Sequence, residues 1–290
     1  MDIVIYEEPD KPNKEVNPCA STTSTNKCSH ICLLSESSKG FKCACPVGVK
    51  LLSDETVCNN DIEQFLIVAR GTDIRRISLD TSDYTDVLLG FTGIKHLLTV
   101  DYWNGTIFWT DDEARKIRMG SLSTFETVDV ITEEIVHPDG LAIDWVGQNL
   151  YWTDAGTDRI EVSKLNGKFR KILISRGLSE PRAIALDPGK GLMFWSDWGK
   201  RPRIERSNMD GTGRESVISE NIYWPNGIAV ENGILYWCDA KNDKIEVRFP
   251  AVVYTFIISV CSALADGRLY AFFITFSNRW QIMMGETDGS

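Results

Sequence analysis

An all-β chain, in which four-stranded sheets repeat around a common axis behind a small cross-linked module, is the fold this sequence predicts. Three observations carry the prediction. An aromatic motif returns every 42 or 43 residues, each period holds four short apolar runs, and six of the eight cysteines lie between residues 19 and 58. Sheets repeated at such a period are the blades of a β-propeller.

The opening MDIVIYEEPDK has neither the basic nor the apolar stretch of a secretion signal, so the chain is expected to be incomplete at its start. Residues 17–59 form the cysteine-rich module. A segment this short buries too little apolar surface to fold unaided, so cross-links that restrict the unfolded chain must supply its stability. Disulfides in turn imply an oxidising compartment. The six cysteines allow fifteen connectivities, and a zinc knot on Cys28, Cys32, Cys43 and Cys45 is the alternative use of the same thiols.

The repeats occupy residues 62–248. FWTD begins at Phe108, YWTD at Tyr151, FWSD at Phe194 and YWCD at Tyr236, with a divergent copy, LIVA, at Leu66. About five blades are therefore expected. Within one period, LAIDW from Leu141, NLYWTD from Asn149, RIEVSKL from Arg159 and FRKILIS from Phe169 read as four strands. Asn166-Gly167 and Asp210-Gly211 have the positive-φ preference of tight hairpins, which makes the third and fourth strands antiparallel neighbours. Trp109, Trp152, Trp195 and Trp237 recur once per blade and belong in the core between sheets. The aspartates that follow them, Asp111, Asp154, Asp197 and Asp239, are expected to bond nearby main-chain N–H groups rather than to do chemistry.

The first copy starts at Phe65 with no inner strand ahead of it, and a sixth copy, due near residue 278, is missing. Residues 249–290 are instead expected to be an unrelated hydrophobic tail. Its stretch FPAVVYTFIISVCSALA is seventeen residues without a charge, short of the roughly twenty that a membrane-spanning helix needs.

The cysteine spacing and CACP turn of residues 17–58 resemble an EGF-like domain, which implies the pairs Cys19–Cys32, Cys28–Cys43 and Cys45–Cys58. Glu15, Val16, Asn17 and Pro18 stand where calcium-binding members carry acidic ligands, so no calcium site is expected. A YWTD-type propeller beside such a module resembles the low-density lipoprotein receptor family. The stretches NPCA, CSHICLL, TDIRRISLDT, HPDGLAIDWVGQNLYWTDAGTDRIEVSKLNG, EPRAIALDP and WPNG resemble its Wnt coreceptors, receptor-related proteins five and six and their Arrow-like relatives, over residues 1–248. The resemblance implies a six-bladed pattern, incomplete here, with residues 1–16 as the remnant of a preceding propeller or linker, on the extracellular side of the plasma membrane within a longer receptor. It also implies secreted protein ligands or antagonists of Wnt, Dickkopf or sclerostin type, with no cofactor and no catalysis.

Carried over onto this chain, the ligand-binding face would comprise His96 in IKHLL, His137 and Asp139 in HPDG, Arg182 in EPRA, and Trp198 in FWSDWG. Trp224 and Asn226 in YWPNG and Lys241 in CDAK complete it. Large aromatic groups beside charged ones are the usual composition of binding hot spots. Asn104-Gly105-Thr106 is a glycosylation sequon.

Other classes of function find less support. A net charge of −10 and a pI near 4.9 oppose nucleic-acid binding, which relies on attraction to phosphates. There are three histidines, and no HExxH, GxSxG, P-loop or dinucleotide motif that would point to a small-molecule substrate. Two alternatives remain open: an endocytic or basement-membrane adaptor, and a metal-dependent propeller hydrolase with acidic ligands around its channel.

Overall fold

The computed structural model describes residues 18–19, 28–59, 62, 64–231, 233–242 and 244–248, with the backbone of 253–256. The expected remnant at residues 1–16 and the tail beyond residue 256 lie outside the described residues. Among the described residues every regular element is a β-strand, and the chain forms two compact units.

In the cysteine-rich unit, β1 (Ile31–Leu34) pairs antiparallel with β2 (Phe41–Ala44), and β3 (Lys50–Leu51) with β4 (Cys58–Asn59). The register sets Cys32 opposite Cys43. Disulfides join Cys19 to Cys32, Cys28 to Cys43 and Cys45 to Cys58, the pairing that the EGF-like resemblance implies. All four thiols of the alternative zinc knot are consumed in these bridges.

The second unit is a propeller of five sheets. Among the described residues the first has three strands, β5 (Phe65–Arg70), β6 (Asp73–Ser78) and β7 (Asp86–Leu88), with no inner strand ahead of Phe65. The second sheet is β8 (Leu97–Trp103), β9 (Thr106–Asp111), β10 (Lys116–Ser121) and β11 (Thr127–Ile131). The third is β12 (Pro138–Asp144), β13 (Asn149–Asp154), β14 (Arg159–Lys164) and β15 (Lys171–Ile174). The fourth is β16 (Pro181–Asp187), β17 (Leu192–Asp197), β18 (Arg203–Asn208) and β19 (Glu215–Ile218). The fifth is β20 (Pro225–Glu231), β21 (Ile234–Asp239), β22 (Lys244–Arg248) and β23 (Val253–Phe256). Strands β8, β12, β16 and β20 lie side by side, which makes them the inner strands of successive blades.

Two details depart from the sequence reading. The outer strand of the fifth sheet comes from beyond residue 248, in the segment expected to be an unrelated tail. At the turns between third and fourth strands of these two blades, Gly167 and Gly211 take positive φ, at +79° and +89°, as do Phe169 and Gly213, while Asn166 and Asp210 do not. A Cβ on Gly167 would collide with the Val130 carbonyl of the preceding blade, so glycine is required there by close approach as well as by φ.

The period-two geometry of a strand explains the paired aromatics of the motif. Successive side chains point to opposite faces of a sheet. Trp152 packs with Phe108, Ile117 and Ile131 toward the preceding blade, whereas its neighbour Tyr151 packs with Ile184, Met193 and Trp195 toward the next. The same division holds for Phe108 and Trp109 and for Phe194 and Trp195. The four repeat tryptophans are 0–2% exposed, confirming them as core. Arginines lie over three of these rings, Arg118 over Trp109, Arg170 over Trp152 and Arg214 over Trp195. Arg170 and Arg214 also donate to loop carbonyls between blades, at Glu133 and Glu134 and at Arg176 and Gly177.

Candidate ligand-binding face

The loops leading into each inner strand and out of each second strand meet at one end of the blades. Two repeated devices hold their main chain. The motif aspartate, fully buried in each of four blades, accepts N–H bonds from residues just ahead of its inner strand. Asp111 accepts from Lys95 and His96, Asp154 from Val136 and His137, Asp197 from Ser179, and Asp239 from Tyr223 and Trp224. These carboxylates therefore take the main-chain role expected of them. Burial pushes the Asp197 carboxyl up, against the pull of Arg203 at 2.8 Å.

The second device is a main-chain tie. The residue just after the motif, or after its aspartate, donates its N–H to the carbonyl ahead of the inner strand: Asp112 to His96, Ala155 to His137, Trp198 to Glu180 and Ala240 to Trp224. These bonds are 2.8–3.0 Å long. Several of the expected face residues are thus placed by main-chain bonds that do not involve their own side chains.

Those side chains form a belt across four blades, in two contact groups. Asp112 accepts a hydrogen bond from His137 at 2.9 Å and lies 3.8 Å from the His96 ring. Arg182 pairs with Asp139 at 2.8 Å, approaches Glu180 at 3.8 Å, and lies 4.4 Å from the centre of the Trp198 ring. Burial alone pushes the Arg182 guanidinium down, but Asp139, with Glu180 and Asp112, outweighs it and the net shift is upward, so the group stays charged. The Trp198 and Trp224 rings are 6.2 Å apart, and Lys241 lies 4.8 Å from the centre of Trp224. One end of the belt is acidic and histidine-bearing; the other is aromatic and cationic.

All eight residues expected on this face lie on these loops or at the adjoining starts of the inner strands. Seven are joined through side-chain contacts. Asn226 has no side-chain contact to them, and its Oδ1 is buried without a hydrogen-bond partner among the described residues. Trp198 Nε1 and Arg182 Nε are buried and unpartnered in the same way. Asp112, Glu180 and Tyr223, the last half exposed beside Trp224, belong to the face but were not anticipated. Asp112 follows the motif aspartate directly, and that doubling of acidic residues was the available signal. Among the described residues no three His, Cys, Asp or Glu side chains converge as a metal site.

Comparison with known proteins identifies the repeat. The family model described as low-density lipoprotein receptor repeat class B matches residues 105–145, 148–188 and 191–230, each match running from one motif into the next inner strand. Low-density lipoprotein receptor-related protein 5 of Homo sapiens is 52% identical over 114 residues, which is 39% of this chain and 7% of that protein. Low-density lipoprotein receptor-related protein 4 of Homo sapiens is 40% identical over 135 residues, 46% of this chain and 7% of that protein. The chain thus spans less than a tenth of the length of these relatives. Among solved structures, a chain in the crystal structure of a nidogen/laminin complex superimposes with a TM-score of 0.60 at 32% identity, over 64% of this chain and 74% of that one.

Proposed function

Because the chain belongs to the low-density lipoprotein receptor-related family, we propose that it works by binding alone, as an extracellular module of a Wnt coreceptor. Its ligands are secreted proteins or their antagonists, of Wnt, Dickkopf or sclerostin type. One observation carries the reading: the belt from Asp112 to Lys241 presents aromatic and charged side chains at one end of four blades. The flanking rings supply apolar contact.

A second reading, a basement-membrane adaptor, is favoured by the likeness to the chain of the nidogen/laminin complex. Both are tested by immobilising the folded chain and measuring binding of purified Wnt, Dickkopf- and sclerostin-type proteins and of laminin. Trp224→Ala and Arg182→Ala should each weaken the true ligand at least tenfold, about 1.4 kcal/mol or more, while circular dichroism shows an unchanged fold. Laminin as the sole binder would select the second reading. Binding indifferent to both substitutions would remove this face from consideration.

A further inference from the structure

The sequon at Asn104 is not absorbed by the binding face, and its place in the fold gives it a separate meaning. Strand β8 runs away from the face, from Leu97 to Trp103, and β9 returns to it, from Thr106 to Asp111. The turn between them is therefore at the opposite end of the second blade. Five residue rises separate Thr106 from Asp111, about 17 Å in an antiparallel strand.

That turn has two residues, Asn104 and Gly105, with φ of +46° and +75°. Two consecutive positive values define the tight hairpin that asparagine followed by glycine favours. Both residues are exposed, and a Cβ built on Gly105 would meet nothing within 4 Å. The space around the tip is thus open. Thr106, the third residue of the sequon, is partly exposed and sits at the start of β9, opposite Trp103. The sequence contains no other Asn-x-Ser/Thr with x other than proline.

We propose that Asn104 carries an N-linked glycan, and that this glycan covers the end of the propeller opposite the binding face. In the transfer, Asn104 Nδ2 attacks the anomeric carbon of an oligosaccharide held on a lipid pyrophosphate. The N–C bond forms as the C–O bond to the pyrophosphate breaks, the lipid pyrophosphate leaves, and the amide gives up one proton. The third blade places an exposed apolar group at this same end. Trp145 and Val146, 38% and 69% exposed, follow β12, whose Ile143 N–H donates to Asp101 of β8 at 2.8 Å. Sugar on Asn104 is thus carried on the blade next to this apolar group, on the side where bulk does not compete with ligand.

The full chain, directed into the secretory pathway behind an added signal sequence, tests the proposal. The secreted protein should carry one glycan, removed by peptide-N-glycosidase in a single mobility step. Asn104→Gln and Thr106→Ala should abolish that step, and Thr106→Ser should restore it. Ligand affinity of the glycosylated and enzymatically deglycosylated forms should agree within twofold. Secreted chain with its three disulfides formed but no glycan would overturn the proposal independently of any ligand result. A persistent glycan in Asn104→Gln, or a rise of tenfold or more in affinity on deglycosylation, would equally overturn it.

Discussion

Replacing Asp154 by alanine tests whether the motif carboxylate is what holds the face. Asp154 is fully buried and accepts four main-chain hydrogen bonds, from Val136 at 2.8 Å, His137 at 3.0 Å, Gly156 at 2.9 Å and Thr157 at 3.0 Å. A hydrogen bond to a charged group contributes about 1.5 kcal/mol at the low end, so four give roughly 6 kcal/mol. The donors lie on a loop that water can reach once the carboxylate is gone, which offsets about half and leaves a loss of roughly 3 kcal/mol. In urea this corresponds to a midpoint lowered by about 1 M or more, followed by the fluorescence of the buried tryptophans. Asparagine separates the parts of the effect. Its amide oxygen can keep the three bonds that converge on Oδ1, but its NH₂ then faces the Val136 N–H, donor against donor. Asp154→Asn should therefore lose about half as much as Asp154→Ala. A midpoint for Asp154→Ala within about 0.3 M of the parent, or an asparagine variant as damaged as the alanine one, would refute the reasoning.

Two further outcomes follow from buried charge. Arg170→Ala strands Glu161, whose side chain is 1% exposed, and should cost about 3–5 kcal/mol by thermal unfolding, whereas Met at both positions should recover most of it; a double variant no better than the single one contradicts this. Burial, reinforced by Asp144 and Asp210, pushes the Tyr151 phenol up to about 12, so the folded state holds this proton more tightly than the unfolded chain. Its stability contribution is complete below the ordinary tyrosine range near 10 and is lost as pH rises toward 12. Ultraviolet titration should show one late tyrosine that disappears in Tyr151→Phe, and no late component would contradict the burial.

Periodicity made the blades legible because it reports two things at once. The aromatic pair marks the second strand, and the alternation of a strand sends its two rings into different interfaces, so Trp152 and Tyr151 could be placed in the core from spacing alone. The aspartates were legible for the same reason, since a group that recurs with the fold most simply serves it. The face was only partly legible. Asp112 joins His137 from 25 residues away across two blades, a proximity created by radial stacking and invisible to a reading within one period. Glu180 and Tyr223 stand at repeated places, but other blades carry different residue types there, so residue type gave no signal. Strand β23 was missed because pairing at the outer edge requires only a main chain and residues suited to strands, such as Val253, Tyr254, Thr255 and Phe256, and no motif. At Asn166 the local preference for positive φ yielded to the turn actually closed, in which Gly167 and Phe169 supply it.

The repeated carboxylate has a consequence for how such a surface can change. Because Asp111, Asp154, Asp197 and Asp239 grip main-chain N–H groups, the grip is indifferent to which side chains the gripped residues carry. Histidine at 96 and 137 and tryptophan at 224 occupy equivalent clamps in three blades. Display is thus uncoupled from support. Ligand preference can drift blade by blade, through single substitutions at these positions, without any one of them drawing on the stability of the sheets beneath.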